Sequence, residues 1–401
     1  MKKNMIKLAA GAAAVLLLST SAQAGYTMKK KVGDVDTKLT FFGFAQLEAR
    51  GGDGIINPDT TDAPVEFGAQ RIRLGWKYVA GKVRGKVFLD FNQAHDDLDK
   101  YSGAALPSMV KDAFISYVAD PAFVAKAGLI KMPNGMGFTM PGWNLDIAER
   151  GLDKQLVLER NTGLMLSGRG IGWEGNKVNG FEMGHERPWK GFGYDVMVAN
   201  QASRSKSTTG DTKAGGLSYA VRGMFDYTEA FHMEASYAVS QNAAGFDSNT
   251  SHSGNANYNL DYSNYNIGID SNLGKLSLKA EYFDAHNIKG IKDSDEQVLT
   301  ATVGYFVTPA LEAVVKHIQG NATWATGTTD TSIGNTYLGL NIFISSPYED
   351  FSRKAKRTRN QHKVVLNYIV ASGDTAGSTN VWNGLSGYKD NAFIAQYQFK
   401  F

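Results

Sequence analysis

Period-two alternation dominates the chain. Apolar residues recur at every second position in segments of about ten residues, the spacing that puts them on one face of a strand. Ile72, Leu74, Trp76 and Tyr78 form one row, and Val83, Val87, Leu89 and Phe91 the next. Later rows are Leu217, Tyr219, Val221, Phe225 and Tyr227, then Leu299, Ala301, Val303, Tyr305 and Val307, then Leu338, Leu340, Ile342 and Ile344. The last stretch, Asn391 to Phe401, alternates to its final residue through Phe393, Ala395, Tyr397, Phe399 and Phe401. Helical spacing is nowhere sustained.

The connectors alternate in length. Tight ones at Ala80-Gly81, Asp120-Pro121, Thr228 to Ala230, Ser271 to Gly274 and Thr308-Pro309 separate long polar ones near 51–67, 93–109, 132–160, 201–216, 242–257, 287–295, 320–333 and 372–389. Short turns at one rim and long loops at the other describe an outer-membrane barrel, and treating 161–184 as one long strand gives about sixteen strands, an even number as that class requires. The basic connector 346–360 is longer than its place in the alternation predicts. Tyr78, Phe91, Tyr117, Tyr227, Phe231, Tyr282, Tyr305 and Tyr397 lie on the apolar face near strand ends, where a ring can sit at the headgroup boundary. A soluble β-sandwich buries such rings in protein but leaves the alternating connectors unexplained.

The first 24 residues differ from the rest. Lys2, Lys3 and Lys7 precede a short apolar run and then Ala22-Gln23-Ala24, the layout of a secretory signal peptide with cleavage near Gly25. No other segment approaches the roughly 18 consecutive apolar residues of a spanning helix. A membrane protein made only of strands must close on itself, since lipid offers no partner to an open sheet edge. The expected class is therefore all-β, a transmembrane antiparallel barrel over 25–401 in the bacterial outer membrane, with short periplasmic turns and long extracellular loops.

Charge changes the picture locally. Lys and Arg total 42 against 39 Asp and Glu, and the three leader lysines account for the difference, so the mature chain is balanced. Any preference for anions must come from placement. Charges in the alternate phase avoid the roughly 2–4 kcal/mol that Arg or Lys costs facing lipid at mid-membrane. Arg71, Arg73 and Lys77 occupy that phase on one strand and Lys82, Arg84 and Lys86 on the next; Arg50, Arg169, Arg222, Lys279 and Lys316 share it elsewhere. Such a wall is either a solvated surface balanced by the inward acids Glu48, Asp90, Asp226, Glu234, Glu281 and Glu312 or a track for anions, because cations lining a pore lower the barrier for anions and Arg holds oxyanions bidentately.

The stretch 132–160 is the longest connector and carries Met136, Phe138, Met140, Trp143, Leu145, Ile147 and Leu156. Apolar residues in a loop need something to pack against. Folding into the lumen satisfies that need and brings Asp146, Glu149 and Asp153, mixed with Arg150, Lys154 and Arg160, opposite the basic wall; an external cap or an oligomer contact is the alternative.

Catalytic and cofactor signals are poor. Cysteine is absent, His185-Glu186 lacks the second His of a zinc-protease helix, and no nucleophile elbow or Walker loop occurs. The segment "GRGIGW" at 168–173 reads as close strand packing. Neither a cofactor nor a nucleic acid is expected.

The segment "KDAFISYVADPAFVAKAGLIKMPNGMGF", from Lys111 to Phe138, resembles the phosphate-selective porin O and P family of Gram-negative outer membranes, which shows a similar strand, tight turn, and strand ending in Gly and Lys-x-Pro before an inserted loop. The residues carrying the likeness are Phe114, Ser116, Tyr117, Gly128, Lys131 and Pro133; "NTGLMLSGRG" and "GYDVMVANQ" resemble the family's next hairpin. The resemblance covers about 110–201 and implies a homotrimer of sixteen-stranded barrels, an inward third loop and anion-conducting pores. The sequence thus reads as a passive pore for small hydrophilic solutes with a bias toward anions, phosphate among them, held in outer-membrane lipid. A non-conducting structural or adhesin barrel and a lipid-acting barrel hydrolase are the rivals.

Overall fold

The computed structural model describes residues 25–52, 65–94, 109–172, 190–201, 216–228, 230–241, 260–324, 328–344, 351, 359–373, 387–388 and 390–401. The leader and His185-Glu186 lie outside the described residues, as does most of connector 346–360. The strands are β1 (Tyr26–Val32), β2 (Val35–Gly52), β3 (Glu66–Ala80), β4 (Val83–Asp90), β5 (Val110–Asp120), β6 (Phe123–Lys131), β7 (Arg160–Ile171), β8 (Gly191–Asn200) and β9 (Leu217–Thr228). They continue as β10 (Phe231–Ser240), β11 (Tyr262–Leu273), β12 (Leu276–His286), β13 (Asp295–Thr308), β14 (Leu311–Trp324), β15 (Thr328–Phe343), β16 (His362–Ser372) and β17 (Ala392–Lys400).

Each strand from β2 to β17 pairs antiparallel with its sequence neighbours, and β17 pairs back onto β2, so the sheet closes. The seventeen strands make sixteen staves because β1 and β17 lie end to end along one side of β2. β1 covers Val35 to Phe41, and β17 covers Phe44 to Gly52. The final residue completes that stave: Gly43 N–H donates to the Phe401 carbonyl at 3.1 Å and Phe401 N–H to the Gly43 carbonyl at 3.0 Å. A side chain at Gly43 would stand 2.6 Å from the Phe401 ring, so glycine lets the terminal aromatic lie across the stave.

Alternation resolves into two faces. Ile115, Leu164, Val221, Ile267, Leu299, Val303 and Leu338 are exposed outward, while Asp90, Asp195, Glu234, Glu281 and Glu312 are buried inward. No helix among the described residues is long and apolar enough to cross a membrane, and the strands do the crossing. Tyr78, Tyr117, Tyr227 and Tyr305 ring the short-turn rim on the outer face, whereas Tyr282 sits mid-strand in β12.

Three boundaries differ from the sequence reading. β14 and β15 run on through most of the expected 320–333 loop and leave only 325–327 between them, because their polar upper halves still pair residue for residue. β7 stops at Ile171 rather than continuing to 184. The β7–β8 connector therefore joins 346–360 as a second long connection on the short-turn side.

The apolar core sits inside the barrel. Met132, Phe138, Ile147, Leu152, Leu156 and Val157 of the 132–159 loop pack against inward Met197, Phe283, Val314, Ile318, Val365 and Ile394. A second cluster joins Phe42, Phe44 and Phe88 to Trp143. The loop folds into the lumen because its apolar residues find an apolar wall there.

Candidate functional site

The loop leaves β6 after two backbone accommodations. Gly128 has φ 128° and a Cβ there would meet the Ala113 carbonyl at 2.3 Å, which presses β6 against β5; Gly135, φ 84°, turns the loop where a Cβ would strike Phe283 at 2.6 Å. A one-turn helix, Met136–Thr139, follows.

From there the loop is bonded to wall after wall. Gly137 N–H donates to Glu281 Oε2 at 2.8 Å on β12, and Lys279 pairs with Asp146. Asn341 on β15 donates to the Asp146 carbonyl at 2.9 Å. Lys363 on β16 donates to the Leu145 carbonyl at 2.6 Å, and Asn367 accepts from Ala148 N–H at 2.9 Å. Gln398 on β17 donates to the Trp143 carbonyl at 3.0 Å, and Gln46 on β2 to the Gly142 carbonyl at 3.2 Å. Glu149 accepts from Arg50 at 3.2 Å and from Tyr337 at 3.0 Å. The loop thus crosses the lumen as a braced beam, since buried carbonyls and N–H groups must find partners.

On the beam's other side the basic residues of β3 to β7 converge. Arg71 donates to Gln46 Oε1 at 2.6 Å, and Arg73 pairs with Asp90 at 2.8 Å while lying over the rings of Phe44 and Phe88. Asp112 is shared by Lys86 at 2.5 Å and Arg160 at 2.9 Å. Arg150 donates to the carbonyls of Gly137 and Met140, and Lys131 to that of Phe138, whose ring lies beneath Lys131, Arg150 and Arg160. Burial and the repulsion of Arg73 and Arg160, partly offset by Asp153, bring the Arg150 guanidinium down to about 10, still charged at neutral pH. At the loop's end burial opposes ionisation of Glu159, but Lys154, Arg160 and Lys111 outweigh it and hold the carboxyl at about 2.

Other expected wall residues lie elsewhere. Lys82 is in the exposed β3–β4 turn and donates to the Ala119 carbonyl at 3.2 Å, because β3 ends at Ala80 and β4 begins only at Val83. Arg84 folds back onto the Gly81 and Val83 carbonyls of the same turn. Lys77 lies over Phe42 near that rim, 4.7 Å from the ring centre. Arg169 and Arg222 face inward but are fully buried, both clamped on Asp195 at 3.0 and 2.5 Å. Lys154 points to solvent and pairs with Glu159. Lys316 stands on the β14 wall facing the loop.

Sequence reasoning missed Lys111, Lys126 and Lys131. Lys111 is out of phase with its strand and is turned inward by a bulge opposite Phe88 and Leu89. Lys126 is in phase, on the inward face with Val124, and was legible from alternation with Phe123, Ala125 and Ala127; it donates to Ser167 at 3.0 Å. Among the described residues no group of three His, Cys, Asp or Glu is arranged to hold a metal ion. The Gly168 stretch serves packing: a Cβ there would lie 2.2 Å from the Tyr194 ring.

A closed sixteen-stave barrel, apolar outside, with its third long loop bent into a charged lumen, has known counterparts. The fold is that of the outer-membrane porins. OmpT, an outer membrane protein of Vibrio cholerae in its trimer form, superposes with a TM-score of 0.58 at 12% identity, covering 91% of this chain and 99% of that one. The anion-selective porin from Comamonas acidovorans gives 0.57 at 11% identity over 91% and 100%. The outer membrane channel DcaP of Acinetobacter baumannii gives 0.54 at 15% over 94% and 100%. No protein-family model and no curated protein matches the sequence. Fold and apolar girdle together place the chain in the bacterial outer membrane.

Proposed function

We propose that the protein is a passive diffusion pore for small hydrophilic solutes, biased toward anions, whose passage lies between the inserted loop and the basic face of β3 to β7. The observation that carries this reading is the excess of cations there. Arg71, Arg73, Lys86, Lys111, Lys131, Arg150 and Arg160 outnumber Asp90, Asp112, Asp153 and Glu159, and Arg71, Lys131 and Arg150 donate to neutral oxygens rather than to carboxylates. Cations that keep their charge draw anions and repel cations through a narrow opening. The anion selectivity named for the Comamonas porin fits the same reading, and the trimer form of OmpT fits assembly as a homotrimer. Removal of residues 1–24 on export rests on the layout of the leader. Membership of the phosphate-selective porin family, and phosphate as solute, have the Lys111 to Phe138 likeness as their support.

Purified protein in planar bilayers tests this. Ion-conducting steps are expected, with a reversal potential under a salt gradient that reports anion preference. Cation selectivity removes the anion bias, and absence of conductance removes the pore. A second reading, a plugged structural barrel, is favoured by the bracing of the loop to β2 as well as to β12–β17. Swelling of liposomes in sugars of graded size separates the two.

A further inference from the structure

β1 is unlike the other strands in having a single neighbour. It pairs with β2 from Tyr26 opposite Phe41 to Val32 opposite Val35, and no strand among the described residues pairs with its other edge. β17 lies end to end with it, and β16, which flanks β17, does not run on beside it. The chain entering β16 turns into the lumen instead: the Asn360 carbonyl accepts from Gln398, and Arg359 is fully buried, 4.8 Å over the Phe306 ring. β1 is therefore an open sheet edge on the short-turn, periplasmic side, where only water or an added strand can meet its outer N–H and C=O groups.

The two faces of this edge differ. Alternation puts Lys29 and Lys31 in the inward phase of β2, beside Lys38, and Tyr26, Met28 and Val32 in the outward phase. Tyr26 is 67% exposed and Val32 57%. Lys29, Lys30, Lys31 and Lys38 are exposed as well, and none of the four makes an ion pair among the described residues, although Asp36 lies opposite Lys31. Lys29 stands directly opposite Lys38, and like charges so placed destabilise a sheet. An anion beside them removes that cost.

The charge selects what can cover the edge. A second copy of β1 would set lysine against lysine, and lysines on an open edge keep identical edges apart. The connector before β16 carries Arg353, Lys354, Lys356 and Arg357 with no acid between 351 and 361, so it is repelled in the same way. We propose that β1 docks an extended segment of a periplasmic protein, added as a strand, with acidic side chains toward Lys29 and Lys31 and apolar ones beside Tyr26, Met28 and Val32. Main-chain bonds to a free edge supply affinity, and alternate side chains supply specificity. The surface lies on the rim of the sheet, so the proposal stands whether or not the barrel conducts.

Fluorescence anisotropy of a labelled peptide of alternating Val and Glu, matched to the 7 residues of β1, tests this on folded, detergent-solubilised protein. Saturable binding is expected, with slower hydrogen exchange of β1 amides. Lys29→Glu combined with Lys31→Glu should weaken binding about ten-fold and make the variant prefer a peptide of alternating Val and Lys. A peptide of the same composition with its Val and Glu in separate blocks should bind poorly. Absence of saturable binding overturns the proposal. Equal binding of the block peptide does so too, because it identifies a patch that reads charge alone. Full displacement of the peptide by phosphatidylglycerol micelles identifies a lipid headgroup site and also overturns it. Disulfide cross-linking between copies of Met28→Cys, in a chain with no other cysteine, overturns it in favour of a second copy.

Discussion

Two sets of inward arginines share residue type but occupy different chemical situations. Arg169 and Arg222 grip the carboxylate of Asp195, with Glu234 3.7 Å from Arg222 and His232 wedged between Asp226 and Glu234. All of these side chains are buried, and the group is an ionic staple across β7 to β10. Arg71 and Arg150 instead donate to an amide oxygen and to backbone carbonyls, which satisfy their hydrogen bonds without cancelling their charge. Facing the lumen is thus a statement about lipid avoidance. Whether a cation acts on a passing ion depends on what its donors meet.

The largest effect expected from breaking this contrast is on stability at the staple. Asp195→Ala strands two buried guanidinium groups, and removing one partner of a buried pair costs about 3–5 kcal/mol. Denaturant titration of refolded protein should show that loss, while Arg71→Gln should stay close to wild type. Leu340→Arg comes next: this outward residue lies opposite Ala313 and Leu366, and a cation there costs roughly 2–4 kcal/mol at mid-membrane. Folding into lipid vesicles under urea reads it; equal stability in vesicles would mean that β15 does not face acyl chains.

Selectivity should respond on the other side of the comparison. Neutralising Arg71, Arg73 and Arg150 together is expected to move the reversal potential toward cations, each charge being worth about 1 kcal/mol at 4 Å in water, a roughly five-fold change in local anion population. Arg84→Gln should leave the potential in place, because that guanidinium is spent on its own turn. The smallest effect concerns Glu159. Its carboxyl is held at about 2 by Lys154 and its basic neighbours against an unfolded value near 4.3. The folded value is the lower one, so the stabilisation is present above pH 4.3 and is lost as pH falls toward 2. The partner Lys154 is half exposed, which keeps the contribution below about 1 kcal/mol. Acidification from pH 5 to 2.5 should lower the unfolding midpoint of the wild type more than that of Glu159→Gln.

Much of the barrel was legible in the sequence because a strand's two faces meet different solvents, and period two records that directly. Leu74 and Arg73 needed no neighbours to be assigned to opposite faces. The inserted loop was legible from Met136, Phe138 and Ile147, which need something apolar to pack against; the external cap or oligomer contact that the same residues allow is set aside by their packing inside the barrel. Lys111 was not legible, since a bulge shifts phase by one residue and leaves no compositional mark. Nor was the fate of Arg84, which depends on where a turn closes, or that of Arg222, whose partner Asp195 is a neighbour only because β8 pairs with β9 in one particular register.

By itself the sequence determined the closed, lipid-facing barrel, because alternation without spanning helices allows no other way to satisfy the backbone in a membrane. The tertiary structure alone decided which inward cations meet carboxylates and which meet neutral oxygens, and where the loop crosses the lumen. The reason is physical: strand periodicity is local, whereas charge compensation is set by donors and acceptors tens to hundreds of residues apart that only register and the path of the loop bring within hydrogen-bond reach.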